Sequence, residues 1–421
     1  MDHFAYKDGV MHAEDVALPA LAEAVQTPFY CYSTATLERH FNVFREGLGI
    51  DDALICFAVK ANSNLNILKT LGNAGSGADV VSEGEIRQSL AAGIPANRIV
   101  FSGVGKTRSE MAYALQERIF QFNIESEPEL EALNEVALSL NVKAPIAVRV
   151  NPDVLAETHA KISTGHKESK FGIAIDQASE FYRKASELKG IKVQGVSMHI
   201  GSQLTSLEPF RKAYLKVRVL VESLRNQGHD ITTLDLGGGL GIPYDKSAGD
   251  PPSPAEYGKI VRETVGDLGC RLVFEPGRLL VGNAGILVTR VIYVKRTATR
   301  IYVIVDAAMN DLLRPSLYEA YHDIVPVQEP GEKAFVTPVD IVGPVCETGD
   351  TFAEQRSIAL PKAGELLAFR SAGAYGAVMA SSYNSRLASP EVMVRGDQYA
   401  IIRPRPDYDA LLKRDVIADW F

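Results

Sequence analysis

A lysine that directly follows an apolar run is the first residue of this sequence that could do chemistry. Lys60 comes after residues 55–59, whose composition is typical of a buried strand. In a parallel α/β protein the carboxyl ends of strands form the edge at which ligands bind. Partial desolvation there would lower the pKa of the lysine and make its amine a nucleophile toward a carbonyl group. The ordinary alternative is a solvated lysine that merely ends a strand.

A run of glycines could bind an anion at the same edge. Gly237-Gly238-Gly239-Leu240-Gly241 directly follows the predicted strand 233–236. Consecutive glycines let the backbone approach an anion closely and direct several N–H groups at it. A tight turn would also explain the run. Its place after the seventh predicted strand favours a phosphate site, because the loops after strands seven and eight of a barrel often bind phosphate.

A carboxylate and a histidine complete a set that suits pyridoxal 5'-phosphate. Glu275 and Arg278 end the eighth predicted strand, where a salt bridge between them is the simplest interpretation. With Lys60 and a phosphate site on the same rim, however, the carboxylate could keep the ring nitrogen of the cofactor protonated while the lysine binds it covalently. His199 ends the sixth predicted strand, and its flat imidazole could stack on the ring while Ser202 bonds the phosphate. A lone histidine is more often structural.

The elements that position these residues alternate between strand and helix. The predicted strands are 55–59, 78–81, 99–102, 122–124, 146–150, 195–200, 233–236 and 272–274, and helical patterns cover 83–92, 127–140, 177–188 and 209–227. Eight strands over about 240 residues predict a (β/α)8 barrel, and a doubly wound open sheet is the alternative. We predict the barrel over residues 34–280. Residues 281–421 are rich in strand formers and predict a second, mainly β domain, which residues 1–33 join.

The bulk composition excludes several classes of function. The chain has 421 residues, 46% of them hydrophobic and 23% charged, as in an ordinary globular protein of two domains. Its net charge of −8 argues against a dedicated nucleic-acid binder. We expect no transmembrane helix and no export signal. The four cysteines are far apart and include no CxxC pair, so we expect no metal site and a reducing cytoplasm.

Together these motifs resemble the fold-type III pyridoxal-phosphate decarboxylases over nearly the whole chain. The segments that carry the resemblance are residues 57–62, 199–203, 237–241, 275–278, 343–350 and 371–376. The resemblance implies that Lys60 binds the cofactor covalently, that His199 stacks on its ring and that Glu275 pairs with the ring nitrogen. It implies phosphate contacts from Ser202, Gly239, Gly277, Arg278 and Tyr375. Residues 158–172 resemble the loop over the site in this family.

The resemblance also implies a shared active site. Cys346 would donate a proton and Glu347 would contact substrate, both reaching the site from the other subunit of a homodimer. Tyr375 would contact substrate as well as phosphate.

The charge of the remaining candidates indicates the substrate. Arg314 and Tyr318 are four residues apart at a predicted helix start, Arg314-Pro315, and so share a face. With Arg278 and Glu347 they suit an amino acid whose distal centre carries both a carboxylate and an ammonium group, since arginine binds carboxylates bidentately. Meso-2,6-diaminopimelate has such a centre, and its decarboxylation gives L-lysine, the last step of lysine biosynthesis.

Three rival functions remain open from the sequence. An ornithine or arginine decarboxylase would need an acidic distal pocket, which the two arginines oppose. A non-catalytic carrier of pyridoxal phosphate would not need the second domain. An alanine racemase would carry a catalytic tyrosine in place of the Cys346 segment.

Overall fold

The computed structural model describes residues 2–154, 170–245 and 249–421, which form two compact units. The barrel unit comprises the described residues within 38–243 and 249–280. The β unit comprises residues 2–37, 244–245 and 281–421. None of the helices in the described ranges has both the length and the hydropathy that crossing a membrane requires.

The secondary structure alternates through the first two thirds of the chain and is mainly β after it. The strands are β1 (Phe4–Lys7), β2 (Val10–Ala13), β3 (Val16–Ala17), β4 (Phe29–Ser33), β5 (Leu54–Ala58), β6 (Gly77–Val80), β7 (Ile99–Phe101), β8 (Gln121–Ile124), β9 (Ala144–Asn151), β10 (Ile173–Ala174), β11 (Ile191–Ser197), β12 (Thr233–Asp235), β13 (Arg271–Phe274), β14 (Gly285–Arg296), β15 (Ile301–Val305), β16 (Ile324–Pro326), β17 (Val336–Val342), β18 (Thr351–Ala359), β19 (Leu366–Phe369), β20 (Glu391–Arg395) and β21 (Gln398–Arg403). The helices are α1 (Leu18–Val25), α2 (Thr34–Leu48), α3 (Leu65–Asn73), α4 (Glu83–Ala91), α5 (Arg108–Glu117), α6 (Glu127–Ser139), α7 (Ala178–Glu187), α8 (Glu208–Asn226), α9 (Pro254–Val265), α10 (Arg278–Val281), α11 (Arg314–Tyr318) and α12 (Tyr408–Leu412).

Eight parallel strands close into a barrel. They pair in the order β5-β6-β7-β8-β9-β11-β12-β13, and β13 pairs back onto β5 with Val273 opposite Leu54. Because the sheet closes, the predicted (β/α)8 class is confirmed and the open doubly wound alternative is wrong. All five residues of β5 are buried, as an apolar run inside a parallel barrel requires. The eight predicted strands correspond to these eight, with β11 starting four residues earlier than expected.

Local sequence explains where the outer helices of the barrel begin. Ser82 and Ser126 accept the backbone N–H groups of Glu85 and Glu129 at the starts of α4 and α6. Ser253 and Glu256 form a reciprocal capping box at the start of α9. These caps satisfy donors that have no partner within a helix. The connections that precede α4, α6 and α9 therefore end at a defined residue.

The β unit is built on one mixed sheet that includes the N-terminal strand β4. Its strands run in the order β18-β17-β15-β14-β4-β20-β21, and β19 pairs with β14 and β16. Strand β4 pairs antiparallel with β14 and parallel with β20, so the expectation that the N-terminal segment joins the second, mainly β part is met in the fold. Residues far apart in sequence, such as Phe4, Phe29 and Ile286, share one buried cluster. Burial of these side chains stabilises the unit.

Candidate active site

Lys60 lies in a short helical turn, Val59–Ala61, at the carboxyl end of β5. Its Nζ is 2.6 Å from Oδ2 of Asp79, which is fully buried, whereas the lysine side chain is 41% exposed. Lys60 thus lies half-exposed at the barrel rim, paired with a buried carboxylate.

Three buried carboxyl groups lie together beneath Lys60. Asn123 Nδ2 donates to Asp235 Oδ2 at 2.8 Å and to Glu275 Oε1 at 3.2 Å, and Ser102 Oγ donates to Glu275 Oε1 at 3.3 Å. Burial, together with the charges of Asp235 and Asp79, raises the pKa of Glu275 well above its usual value. Burial raises the pKa of Asp235 to about 6. The buried environment of the cluster therefore does not stabilise all of its carboxyl groups in the ionised form.

A protonated ring nitrogen fits this cluster. Among the described residues, Oδ1 of Asp79 is buried without a hydrogen-bond partner. A cation placed against the cluster would stabilise the ionised carboxylates, because an opposite charge lowers the pKa of an acid. The acidic groups present therefore suit the role that the resemblance gives Glu275, which is to pair with the pyridine nitrogen of the cofactor.

His199 lies just beyond β11 and lines the same cavity. Its Nδ1 accepts the backbone N–H of Gly238 at 3.3 Å, so a neutral ring carries its proton on Nε2. Desolvation, followed by the charges of Arg149 and Lys60, lowers the pKa of this imidazole well below its usual value. A neutral, flat ring in this place is suited to stack on an aromatic cofactor.

The glycine run has the tight backbone packing that an anion cradle needs. Gly239 has φ +115°, and a Cβ there would lie 2.4 Å from the carbonyl oxygen of Gly201. A Cβ on Gly277 would lie 3.0 Å from Cβ of Ala58. Within the described residues neither glycine N–H has a hydrogen-bond acceptor. Two unpaired backbone donors beside a turn that excludes side chains suit a phosphate group.

Ser202 and Arg278, both predicted to contact the phosphate, are in direct contact. Arg278 Nη2 donates to Ser202 Oγ at 3.0 Å, and Arg278 is only 7% exposed. Arg278 begins α10, immediately after Gly277. A buried guanidinium beside the two glycines adds the positive charge that a phosphate dianion requires.

The barrel residues surround a cavity of about 170 Å³. Its lining includes residues that sequence reasoning missed, among them Ser102, Asn123 and Arg149. Arg149 Nη1 lies 3.2 Å from Oε1 of Glu125. The signal that could have found them, and Asp79 and Asp235, is a polar residue inside an otherwise apolar predicted strand. In a barrel such a residue points into the interior or toward the rim.

The predicted substrate residues Arg314 and Tyr318 lie on α11 in the β unit. The helix starts at Arg314 with Pro315 in its first turn, as predicted. Arg314 is 7% exposed, its Nη1 is 2.8 Å from Nε2 of His322, and its guanidinium carbon lies 4.6 Å from the centre of the Tyr244 ring. Arg314 is therefore a buried, oriented cation rather than an ordinary surface arginine.

Cys346 and Glu347 lie in an exposed loop between β17 and β18. Asp350 holds this loop, because its carboxylate accepts the backbone N–H groups of Met309 and Val345 at 2.6 and 2.7 Å. Oδ1 of Asn384 accepts the N–H of Cys346 at 2.9 Å. Sequence reasoning missed both supporting residues.

The loop that carries Cys346 is also joined to α11. Ser316 Oγ donates to the carbonyl oxygen of Gly349 at 2.6 Å. The structure thus links the segments of Arg314 and Cys346 within the β unit. Tyr375, half-buried, follows β19 with φ +56°.

The structure groups the candidates by unit. The barrel unit contains Lys60, His199, Ser202, Gly239, Glu275, Gly277 and Arg278, and the β unit contains Arg314, Tyr318, Cys346, Glu347 and Tyr375.

Of the predicted loop 158–172, residues 158–169 lie outside the described residues. Its end is described, and there Gly172 N–H donates to Glu125 Oε2 at 3.0 Å. Over the described ranges no group of three or more His, Cys, Asp or Glu side chains is arranged to hold a metal ion.

Comparison with known proteins identifies the family of the chain. Residues 34–282 match the family model for the pyridoxal-binding domain of pyridoxal-dependent decarboxylases, which defines the class of the protein. The chain is 49% identical to diaminopimelate decarboxylase of Zymomonas mobilis over 99% of both chains, and 50% identical to that of Pseudomonas aeruginosa over 96% of both. The crystal structure of diaminopimelate decarboxylase from Helicobacter pylori complexed with L-lysine superposes with a TM-score of 0.90 at 40% identity, covering 94% of this chain and 98% of that one. The chain belongs to the diaminopimelate decarboxylase family.

Proposed function

We propose that the protein decarboxylates meso-2,6-diaminopimelate to L-lysine and carbon dioxide with pyridoxal 5'-phosphate as cofactor, the last step of lysine biosynthesis. The buried Arg314 is the observation that carries the choice of substrate. Ornithine and lysine end in a bare ammonium group, which a buried guanidinium would repel. Diaminopimelate ends in a centre that also has a carboxylate, which a guanidinium binds through paired hydrogen bonds.

The residues of the barrel unit hold the cofactor and set its charge. Bound pyridoxal phosphate supplies an electron sink for the carbon that loses carbon dioxide. Lys60 would hold the cofactor covalently between turnovers. Glu275 would pair with the ring nitrogen, and the neutral His199 would stack on the ring. Gly239, Gly277, Ser202 and Arg278 would hold the phosphate, and the resemblance assigns Tyr375 to it as well.

The residues of the β unit bind the distal end of the substrate and supply a proton. Arg314 and Arg278 bind carboxylate oxygens, while Glu347 pairs with the distal ammonium and Tyr318 and Tyr375 contact the substrate. Cys346 donates a proton from Sγ to the carbon that has lost carbon dioxide. The exposure of Cys346 and Glu347 is consistent with their use in the site of a second subunit.

We propose a homodimer in which each site takes Cys346 and Glu347 from the partner subunit. Mixing two inactive variants tests this arrangement. Lys60→Ala disables the barrel part of a site and Cys346→Ala the β part, so a mixed dimer has one site with both defects and one with none. Random exchange should restore roughly a quarter of wild-type activity if sites are shared. No recovery in verified mixed dimers would contradict the sharing.

We also propose that the protein works in the cytoplasm. All four cysteines, including the exposed Cys346, are free thiols in the structure. Free thiols are typical of a reducing compartment.

The reaction itself is tested by product analysis. Purified protein loaded with pyridoxal phosphate should convert meso-diaminopimelate into equal amounts of carbon dioxide and L-lysine, measured together by trapping and chromatography. The Lys60→Ala variant is the matched control and should form neither. Formation of carbon dioxide without lysine, or no reaction of the loaded wild type, would overturn the proposed function.

A further inference from the structure

A buried histidine contacts the arginine that we assign to the distal carboxylate. His322, 1% exposed, lies just before β16 in the β unit. Its Nε2 is 2.8 Å from Nη1 of Arg314, and its Nδ1 is 2.9 Å from the backbone carbonyl oxygen of Arg370. The two ring nitrogens thus bridge α11 and the end of β19.

The partners of the ring determine where its proton lies. A carbonyl oxygen can only accept, so Nδ1 of His322 must carry the hydrogen that bonds to Arg370. A guanidinium can only donate, so Nε2 must offer its lone pair to Arg314. Both contacts are satisfied together only by a neutral imidazole of this tautomer, which therefore acts as an oriented acceptor for the arginine.

An aromatic ring holds the same guanidinium on a different side. The guanidinium carbon of Arg314 lies 4.6 Å from the centre of the Tyr244 ring, within the range of a cation–π contact. Tyr244 and His322 are themselves in contact, with ring centres 5.4 Å apart and planes at 81°. A hydrogen bond at Nη1 and a ring beside the central carbon together restrict the plane of the guanidinium.

We propose that His322 is a positioning residue that fixes the guanidinium plane of Arg314 for bidentate binding of the distal carboxylate of the substrate. This inference rests on the proposed function and goes beyond it, because it identifies what makes Arg314 selective. A guanidinium binds a carboxylate strongly when two N–H groups in one plane meet two oxygens. An arginine free to rotate would lose orientation and with it the preference for a substrate that carries this group.

Two substitutions of similar size separate positioning from general packing. The amide of His322→Asn reaches the place of Nδ1 and keeps a donor for the Arg370 carbonyl, but it does not reach Arg314. The longer His322→Gln places an amide oxygen near the position of Nε2 and keeps an acceptor for Arg314. We expect His322→Asn to raise KM for meso-diaminopimelate on the order of tenfold with kcat changed little, and His322→Gln to recover most of that loss.

A double-mutant cycle with Arg314 makes the test specific. In an Arg314→Ala background His322→Asn should raise KM no further, because the arginine through which His322 is proposed to act is then absent. Affinity for L-lysine, which lacks the distal carboxylate, should stay within about twofold in both His322 variants. Equal effects of Asn and Gln, full additivity with Arg314→Ala, or an equal loss of lysine affinity would overturn the inference.

A second variant and the activity of the wild-type enzyme separate a failure of this inference from a failure of the proposed function. If His322→Asn does not fold, Tyr244→Leu replaces it. This change removes the ring beside the guanidinium and its ring contact with His322, but it keeps the hydrogen bonds of His322 to Arg314 and Arg370. It should raise KM for meso-diaminopimelate in the same way. An unchanged KM would show that these contacts do not fix the plane of the Arg314 guanidinium. A wild-type enzyme without activity on meso-diaminopimelate would instead refute the proposed function.

Discussion

Lys60 Nζ and Asp79 Oδ2 form an ion pair of 2.6 Å in which the carboxylate is fully buried and the lysine is half-exposed. The pair joins the residue that we propose to bind the cofactor to the buried acidic cluster of Asp79, Asp235 and Glu275. Burial raises the pKa of Glu275 well above its usual value, and the charges of Asp235 and Asp79 add to that shift. The charge of Asp79 therefore acts on both Lys60 and Glu275.

Removing this charge should ease the attachment of the cofactor to Lys60. The Asp79→Asn variant keeps the shape of the side chain but no longer favours the ammonium, so more free amine is present at a given pH. We expect the pH profile for covalent attachment of pyridoxal phosphate, followed by absorbance, to move to lower pH. Asp51→Asn, an exposed carboxylate before β5, is the control. An unmoved profile would show that Asp79 does not govern this amine.

The buried carboxyl cluster should make the cofactor-free protein less stable as the pH rises. Burial raises the pKa of Asp235 from 3.8 to about 6, so the folded state binds its proton more tightly than the unfolded state. This contribution to stability is fully present below pH 3.8 and is lost as the pH rises through about 6. Thermal unfolding of wild type and Asp235→Asn measures it. The melting temperature of wild type relative to the variant should fall between pH 4 and 7, and a constant difference would contradict a raised pKa.

Gly239 should be essential for binding the cofactor phosphate. An alanine there would have to adopt φ +115° with its Cβ 2.4 Å from the carbonyl oxygen of Gly201. The strain is about 1–3 kcal/mol before the clash is counted, and the loop that presents the N–H group must move. Equilibrium binding of pyridoxal phosphate should weaken at least tenfold. The control is Gly105→Ala, where a Cβ would have no heavy atom within 4 Å. Equal affinities of the two variants for pyridoxal phosphate would show that Gly239 has no role in binding its phosphate.

The loop of Cys346 should depend on Asn384. Oδ1 of Asn384 accepts the Cys346 N–H, and Asn384 itself has φ +55°, a conformation that Asn, Asp and Gly tolerate better than other residues. Asn384→Gly keeps the backbone conformation but removes the acceptor, whereas Asn384→Asp keeps both.

The two Asn384 variants should therefore differ in turnover and not in cofactor binding. We expect kcat to fall roughly tenfold in Asn384→Gly, because a displaced Sγ protonates its carbon more slowly, and to fall much less in Asn384→Asp. Steady-state kinetics on cofactor-saturated enzyme checks this. If both variants kept wild-type kcat, the bond to Cys346 would have no part in proton transfer.

Much of the fold follows from local patterns in the sequence. The apolar runs that form β5 to β8 alternate with helices whose Ser and Thr caps can be recognised directly, and this is sufficient to predict the eight strands. Closure of the barrel could not be seen locally, because the pairing of β13 with β5 joins residues more than 200 positions apart. The closed barrel was instead expected from the number of alternating strands and helices, and the resemblance of the rim motifs to a known family agrees with it.

The candidate site was predictable where residues form contiguous motifs and not where they act singly. Lys60, Glu275 and the glycine run stand in motifs at strand ends. Asp79, His322 and Asn384 stand alone, and each acquires its role from a partner at least eight positions away. Nothing in the local sequence shows that Asp79 meets Lys60 or that His322 accepts from Arg314. Roles of this kind depend on tertiary contacts, which cannot be inferred from hydrophobic periodicity or from the spacing of residues in the sequence.

This barrel decarboxylase should select a substrate with a distal carboxylate. The most direct test compares kcat/KM for carbon dioxide release from meso-diaminopimelate with that from L-lysine, which differs only in lacking that carboxylate, and with ornithine and arginine. We predict that meso-diaminopimelate is preferred by at least a thousandfold, as expected when buried polar groups are left unpaired by the wrong substrate. Comparable or faster release from lysine, ornithine or arginine would contradict the account.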